Sequence, residues 1–60
     1  MRLIMTSSRW GNLYRNRFYV NGRRVTERVW AEAREAAGKA IAMKDSERVS
    51  YGYRTVWEAL

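Results

Sequence analysis

"FYVNGRRV", residues Phe18 to Val25, is the stretch on which the reading of the fold turns. Asn21-Gly22 supplies two adjacent residues that tolerate positive φ, as a two-residue type I′ hairpin turn demands. A loop of that length sets Val20 opposite Arg23, Tyr19 opposite Arg24 and Phe18 opposite Val25. Side chains of a strand alternate between faces. Phe18, Val20 and Val25 therefore share one face, with Tyr14 in line if the strand extends back. Arg15, Arg17, Tyr19 and Arg24 share the other. The first face reads as a core face, the second as a basic and aromatic surface.

Toward the C-terminus, "VTERVWAEAREAAGKAIAMK" (residues 25–44) reads as a helix. Thr26 is a suitable N-cap, because its hydroxyl can accept a free backbone N–H of the first turn. Val25 and Trp30 have the spacing of a hydrophobic staple. Glu27 suits the positive end of the helix dipole, and Lys39 and Lys44 the negative end. At 3.6 residues per turn, Val29, Trp30, Ala33, Ala36, Ala37, Ala40 and Ile41 fall on one face. Arg28, Glu32, Glu35 and Lys39 fall opposite, with Arg28–Glu32 and Glu35–Lys39 spaced as i,i+4 ion pairs. Gly38 costs about 1 kcal/mol relative to alanine inside a helix and marks either a bend or an early end.

"KDSER" (44–48) then reads as a polar break, and "RVSYGYRTVW" (48–57) alternates as a strand does. Val49, Tyr51, Tyr53 and Thr55 lie on one side of it, and Ser50, Gly52 and Arg54 on the other. Gly52 signals a bulge or a close backbone approach. Toward the N-terminus, "RLIMT" (2–6) reads as a short strand and "SSRWGN" (7–12) as a loop or turn. The expected fold is a single small α+β domain over residues 1–60. A small antiparallel sheet of three to four strands packs on one amphipathic helix, in the order β-β-β-α-β.

Composition bounds the rest. A 60-residue chain buries only roughly 60% of the surface its unfolded form exposes, so its core is marginal. With no Cys and no His, disulfides and the usual zinc sites are out of reach. Hydrophobic residues nonetheless make up 47%, with three Trp and four Tyr, enough to pack a core rather than remain disordered. Trp30 and Trp57 are read as core. Trp10 beside Gly11 is read as core in the first instance and, if exposed, as the contact for a partner. No apolar run approaches the roughly 20 residues of a membrane span. A soluble, cytoplasmic protein without membrane or cofactor is expected. The small core and the alanine-rich helix face are also compatible with a homodimer.

Catalytic chemistry is poorly provided for. Ser–His–Asp and Cys–His arrangements need residues the chain lacks. Glu32 and Glu35 each have a basic partner one turn away, so they read as a solvated helix face rather than an acid–base pair. Gly11, Gly22, Gly38 and Gly52 are too scattered for a phosphate-cradling loop. The chain is expected not to be an enzyme.

Charge is more informative. The net charge is +6, and its position matters more than its size. Arg2, Arg9, Arg15, Arg17, Arg23 and Arg24 precede Glu27 without a single Asp or Glu among them. After Thr26, six basic residues are balanced by six acids. Ten of the basic residues are arginine, whose planar fork suits phosphate oxygens and guanine edges. A nucleic-acid-binding role is therefore expected, carried by Arg9, Arg15, Arg17, Tyr19, Arg23 and Arg24, with DNA ahead of RNA. The plainer reading of the same residues is an edge hairpin kept soluble by its charge.

"RWGNLYRNRFYVNGRRV" (9–25) resembles part of the small three-stranded DNA-binding domains that precede phage and transposon integrase catalytic domains. The likeness lies in a basic strand, an Asn-Gly turn and a second basic strand before an alanine-bearing helix, and it covers less than half of the chain. It implies that the sheet reads DNA through Arg15, Arg17, Tyr19, Arg23 and Arg24. The compact design also resembles small accessory proteins of bacteriophages, many of which bind and inhibit a host protein. The alternative function is thus a protein-binding modulator that docks on an acidic host protein, with Trp10 and Tyr19 as anchors and arginines at the rim.

Overall fold

The computed structural model describes residues 1–49 and 52–59. Among these, five strands form one antiparallel sheet: β1 (Arg2–Trp10), β2 (Leu13–Val20), β3 (Arg23–Val25), β4 (Ile41–Val49) and β5 (Gly52–Ala59). A single helix, α1 (Glu27–Ala37), lies between β3 and β4. The spatial order is β3-β2-β1-β5-β4, so the helix crosses from one edge of the sheet to the other.

The central hairpin has the register its turn dictates. Val20 pairs with Arg23, Tyr19 with Arg24 and Phe18 with Val25. Asn21 and Gly22 hold φ of 50° and 82°, the left-handed pair a type I′ turn requires. Asn21 also ties the turn to β1: its N–H donates to the Arg2 carbonyl at 2.8 Å, and its Oδ1 accepts from the Arg2 N–H at 2.9 Å.

The chain is mostly sheet, which overturns the expectation of three to four strands in the order β-β-β-α-β. The order is β-β-β-α-β-β. Residues 41–49, expected to end the helix at 44, break over 44–48 and start a strand only at 48, form β4 throughout, paired to β5 from Ile41↔Ala59 to Val49↔Gly52. Gly38 decides this. It adopts φ 54°, and its N–H bonds back to the Arg34 and Glu35 carbonyls, which closes the helix at Ala37. A 3-10 turn, Gly38–Ala40, then leads into the strand. The first strand is longer than expected as well. "SSRW" belongs to β1, paired to β2 as far as Trp10↔Leu13, and only Gly11-Asn12 remains as turn. The expected strand over 48–57 is two strands, whose junction at residues 50–51 lies outside the described residues together with residue 60.

The helix is capped as expected: the Thr26 hydroxyl accepts from the Val29 N–H at 3.3 Å. Its buried stripe is narrower than the sequence suggested. Trp30 is buried and Ala33 and Ala37 are half-buried, whereas Val29, Ala36 and Ala40 are exposed. Ile41 does join the core, but from β4. Arg28–Glu32 forms the expected ion pair at 3.4 Å, and Glu35–Lys39 does not appear among the ion pairs of the described residues.

The core sits between α1 and one end of the sheet. Leu3 is fully buried, with Phe18 and Trp30 beside it. Met5, Val20, Val25, Ala33, Ile41 and Trp57 pack around them. Trp30 is edge-on to Trp57 at 5.2 Å and tilted against Phe18 at 5.4 Å, and the Arg34 guanidinium covers Trp57 at 5.0 Å. A helix of 11 residues is about 16 Å long, whereas a strand of nine spans about 30 Å. The sheet therefore runs well past the helix, and the molecule measures 36 × 21 × 17 Å.

Candidate nucleic-acid interface

Pairing registers place each side chain on one of two faces. The helix-covered face carries Leu3 and Met5 of β1, with Phe18 and Val20 of β2 and Thr55 and Trp57 of β5 beside them. The opposite face carries Arg2, Ile4, Thr6, Ser8 and Trp10 of β1, in register with Tyr19, Arg17, Arg15 and Leu13 of β2. Arg24 of β3 joins this open face opposite Tyr19. Glu58, Val56, Arg54 and Gly52 of β5 stand on its far side.

Four of the residues singled out in the sequence thus converge. Arg15, Arg17 and Tyr19 succeed one another along β2, and Arg24 stands beside Tyr19. Arg9 and Arg23 do not join them. Arg23 pairs with Val20 and Arg9 with Tyr14, which assigns both to the helix-side face at opposite ends of the sheet. Trp10 is 73% exposed, which corrects its reading as core. It stands at the distal tip opposite the equally exposed Leu13.

Arg2 and Arg54 stand on this face too, beyond the residues expected there from sequence. Arg54 lies opposite Thr6 from β5, just as Arg17 does from β2. The signal was present in the parity of "RLIMT" and "YRTVW", but assigning it required knowing that β1 lies between β2 and β5. Arg54, Ile4, Thr6, Tyr19 and Gly22 line a shallow groove on this face.

Electrostatics divide the open face. β2 and β3 present Arg15, Arg17 and Arg24 without a carboxylate. The β4–β5 side brings Asp45, Glu47 and Glu58. Glu58 is neutralised locally, with Arg2 Nε at 3.5 Å and Lys44 Nζ at 3.1 Å. Arg54 lies in register with Glu47, a near carboxylate that lowers the local potential although the two form no ion pair among the described residues. The strongest uncompensated positive potential therefore follows β2 and β3. Val56, at the middle of the face, is buried beside Arg2, Asp45, Glu47 and Arg54. Its long polar neighbours give this side of the sheet a shielded apolar centre without a second layer.

None of the helices among the described residues is long and apolar enough to cross a membrane. No protein-family model, curated protein or solved structure matches the chain.

Proposed function

We propose that the chain is a non-enzymatic nucleic-acid-binding protein whose open sheet face grips a phosphate backbone along β2 and β3. One observation carries the reading: Arg15, Arg17, Arg24 and Tyr19 share one uncovered face, on strands without a carboxylate. Exposed guanidinium groups on neighbouring strands with no acid among them make a local positive potential, which a polyanion answers while releasing its own counterions. Arginine forks bind phosphate oxygens in pairs, and Tyr19 offers a ring and a hydroxyl beside them.

The test replaces Arg15, Arg17 and Arg24 together by Gln and follows fluorescence anisotropy of labelled oligonucleotides. Affinity is expected to fall by more than roughly tenfold, and the slope of log K against log salt to flatten by about two to three. Unchanged affinity with native circular dichroism removes the open face from the binding site.

A second reading, a protein-binding module docked on an acidic partner, draws on Trp10 and Leu13. These exposed apolar side chains stand opposite each other at the tip of the β1–β2 hairpin, as the anchor of a protein contact does.

A further inference from the structure

We infer that the distal, helix-side end of the sheet is a stacking site for unpaired bases of single-stranded nucleic acid, an inference that rests on the proposed nucleic-acid-binding function. The site is formed by Tyr14, Tyr53, Arg9 and Arg48, on the face opposite to Arg15, Arg17 and Arg24.

The helix is too short to cover the sheet, and the part it leaves bare has a definite chemistry. Beyond the core row of Met5 and Phe18, the same face carries Asn16, Ser7, Tyr53 and Arg48 across four strands, through the pairs Ser7↔Asn16, Ser7↔Tyr53 and Arg48↔Tyr53. The next row outward is Arg9 with Tyr14. Ser7, Arg9, Tyr14, Arg48 and Tyr53 line one common depression. Among the described residues that line it there is no carboxylate, although all three acids of β4 and β5 lie on strands that border it. Register sends Asp45, Glu47 and Glu58 to the other face.

Tyr14 is 66% exposed and Tyr53 55%, so both rings present area to solvent that packing does not use. Strand spacing sets them about 12 Å apart, two strands across and one pleat along. Arg9 is held in place between them and the hairpin tip. Its Nε donates to the Gly11 carbonyl at 2.8 Å, and its guanidinium lies 5.8 Å from the centre of the Tyr14 ring. A ring paired with a fixed guanidinium, with a second ring and a second arginine nearby, is what a base-stacking surface requires. Rings accept any base through its π-face, and arginines take the intervening phosphates. Duplex DNA keeps its bases stacked inside and has no use for the rings. The platform therefore distinguishes single strands, whereas the open face grips phosphates of either form.

The experiment compares oligo(dT), oligo(rU) and a duplex of the same length, by anisotropy, against wild type, Y14A/Y53A, Y14F/Y53F and the Arg15, Arg17 and Arg24 to Gln variant. Y14A/Y53A is expected to lose about 30-fold or more in affinity for both single strands and to keep duplex binding within threefold. Y14F/Y53F, which keeps the rings, is expected to bind as wild type does. Single-strand binding by a natively folded Y14A/Y53A within threefold of wild type overturns the platform and leaves the open face standing. Loss only in the arginine variant likewise overturns the platform. Loss only in the tyrosine variant upholds the platform and removes the open face. If Y14A/Y53A does not fold, photocrosslinking of 5-iodouracil oligonucleotide to the wild-type protein decides: adducts on Tyr14 or Tyr53 uphold the site, and adducts elsewhere alone overturn it. Absence of binding by the wild type to all three probes overturns both readings.

Discussion

Arg17 and Arg54 stand on either side of Thr6, one from β2 and one from β5, on the face of the sheet that the helix leaves open. Their surroundings differ. Arg17 belongs to a strand without acids, whereas Arg54 is in register with Glu47 on its other side. A carboxylate on the neighbouring strand lowers the potential a phosphate meets there, even without an ion pair to the guanidinium. Arg17→Gln is therefore expected to weaken oligonucleotide binding by about tenfold, and Arg54→Gln by about threefold or less, both at low salt where surface charges are least screened. Equal losses in an anisotropy titration would mean that Glu47 does not offset its neighbour.

Gly52 is fixed by space. A Cβ built there would overlap the Ser7 carbonyl oxygen, with the Ser7 carbonyl carbon at 2.7 Å and the Ser8 Cα at 3.2 Å. These are backbone atoms of the central strand and have nowhere to go. Gly52→Ala is expected to destabilise the fold by about 3 kcal/mol. For a domain of this size that is a fall of about 12–24 °C in thermal midpoint, read by circular dichroism.

Trp30 combines burial with an unpaired indole Nε1–H. Its ring fills the space between Phe18 and Trp57. Trp30→Ala should cost about 3–5 kcal/mol through the cavity it opens. Trp30→Phe keeps an aromatic ring and removes the orphan donor, so the relief of about 1–3 kcal/mol offsets much of the lost volume. A net cost of about 1 kcal/mol is expected in urea denaturation. A cost for Phe as large as that for Ala would show that the indole N–H is satisfied in solution.

Gly38 separates helix from strand, and its replacement distinguishes that role from one inside a longer helix. At φ 54°, alanine is strained, so Gly38→Ala is expected to lower stability by about 1–2 kcal/mol. Inside a continuous helix the same change would raise stability by about 1 kcal/mol. The sign of the shift in denaturation midpoint separates the two.

The part of the fold legible from sequence was the part with strong local chemistry. Asn21-Gly22 set the hairpin register, and Thr26 with the 3.6-residue spacing of Trp30, Ala33 and Ala37 located the helix and its start. β4 was hidden for two physical reasons. Ala40, Ala42, Met43 and Lys44 are good helix formers, so local propensity favoured continuing the helix past Gly38. The register also shifts between Met43 and Asp45, which breaks the alternation that would have identified a strand. Trp10 was read as core ahead of contact, with its neighbours taken as a loop, yet it ends β1 on sheet that the short helix leaves uncovered. The same geometry explains the make-up of the open face. Face parity within the hairpin was readable, so Arg15, Arg17, Tyr19 and Arg24 were grouped correctly. Arg2 and Arg54 depend on strand order, which no local pattern encodes.

The most direct measurement is an anisotropy titration of the wild-type protein with labelled single-stranded and duplex oligonucleotides at about 50 and about 200 mM salt. Micromolar or tighter binding that weakens steeply between the two salt concentrations is the expected result, because each phosphate gripped along β2 and β3 releases condensed counterions. No binding at the lower salt concentration would contradict it, and would reassign the arginines of the open face to solubility or to an acidic protein surface.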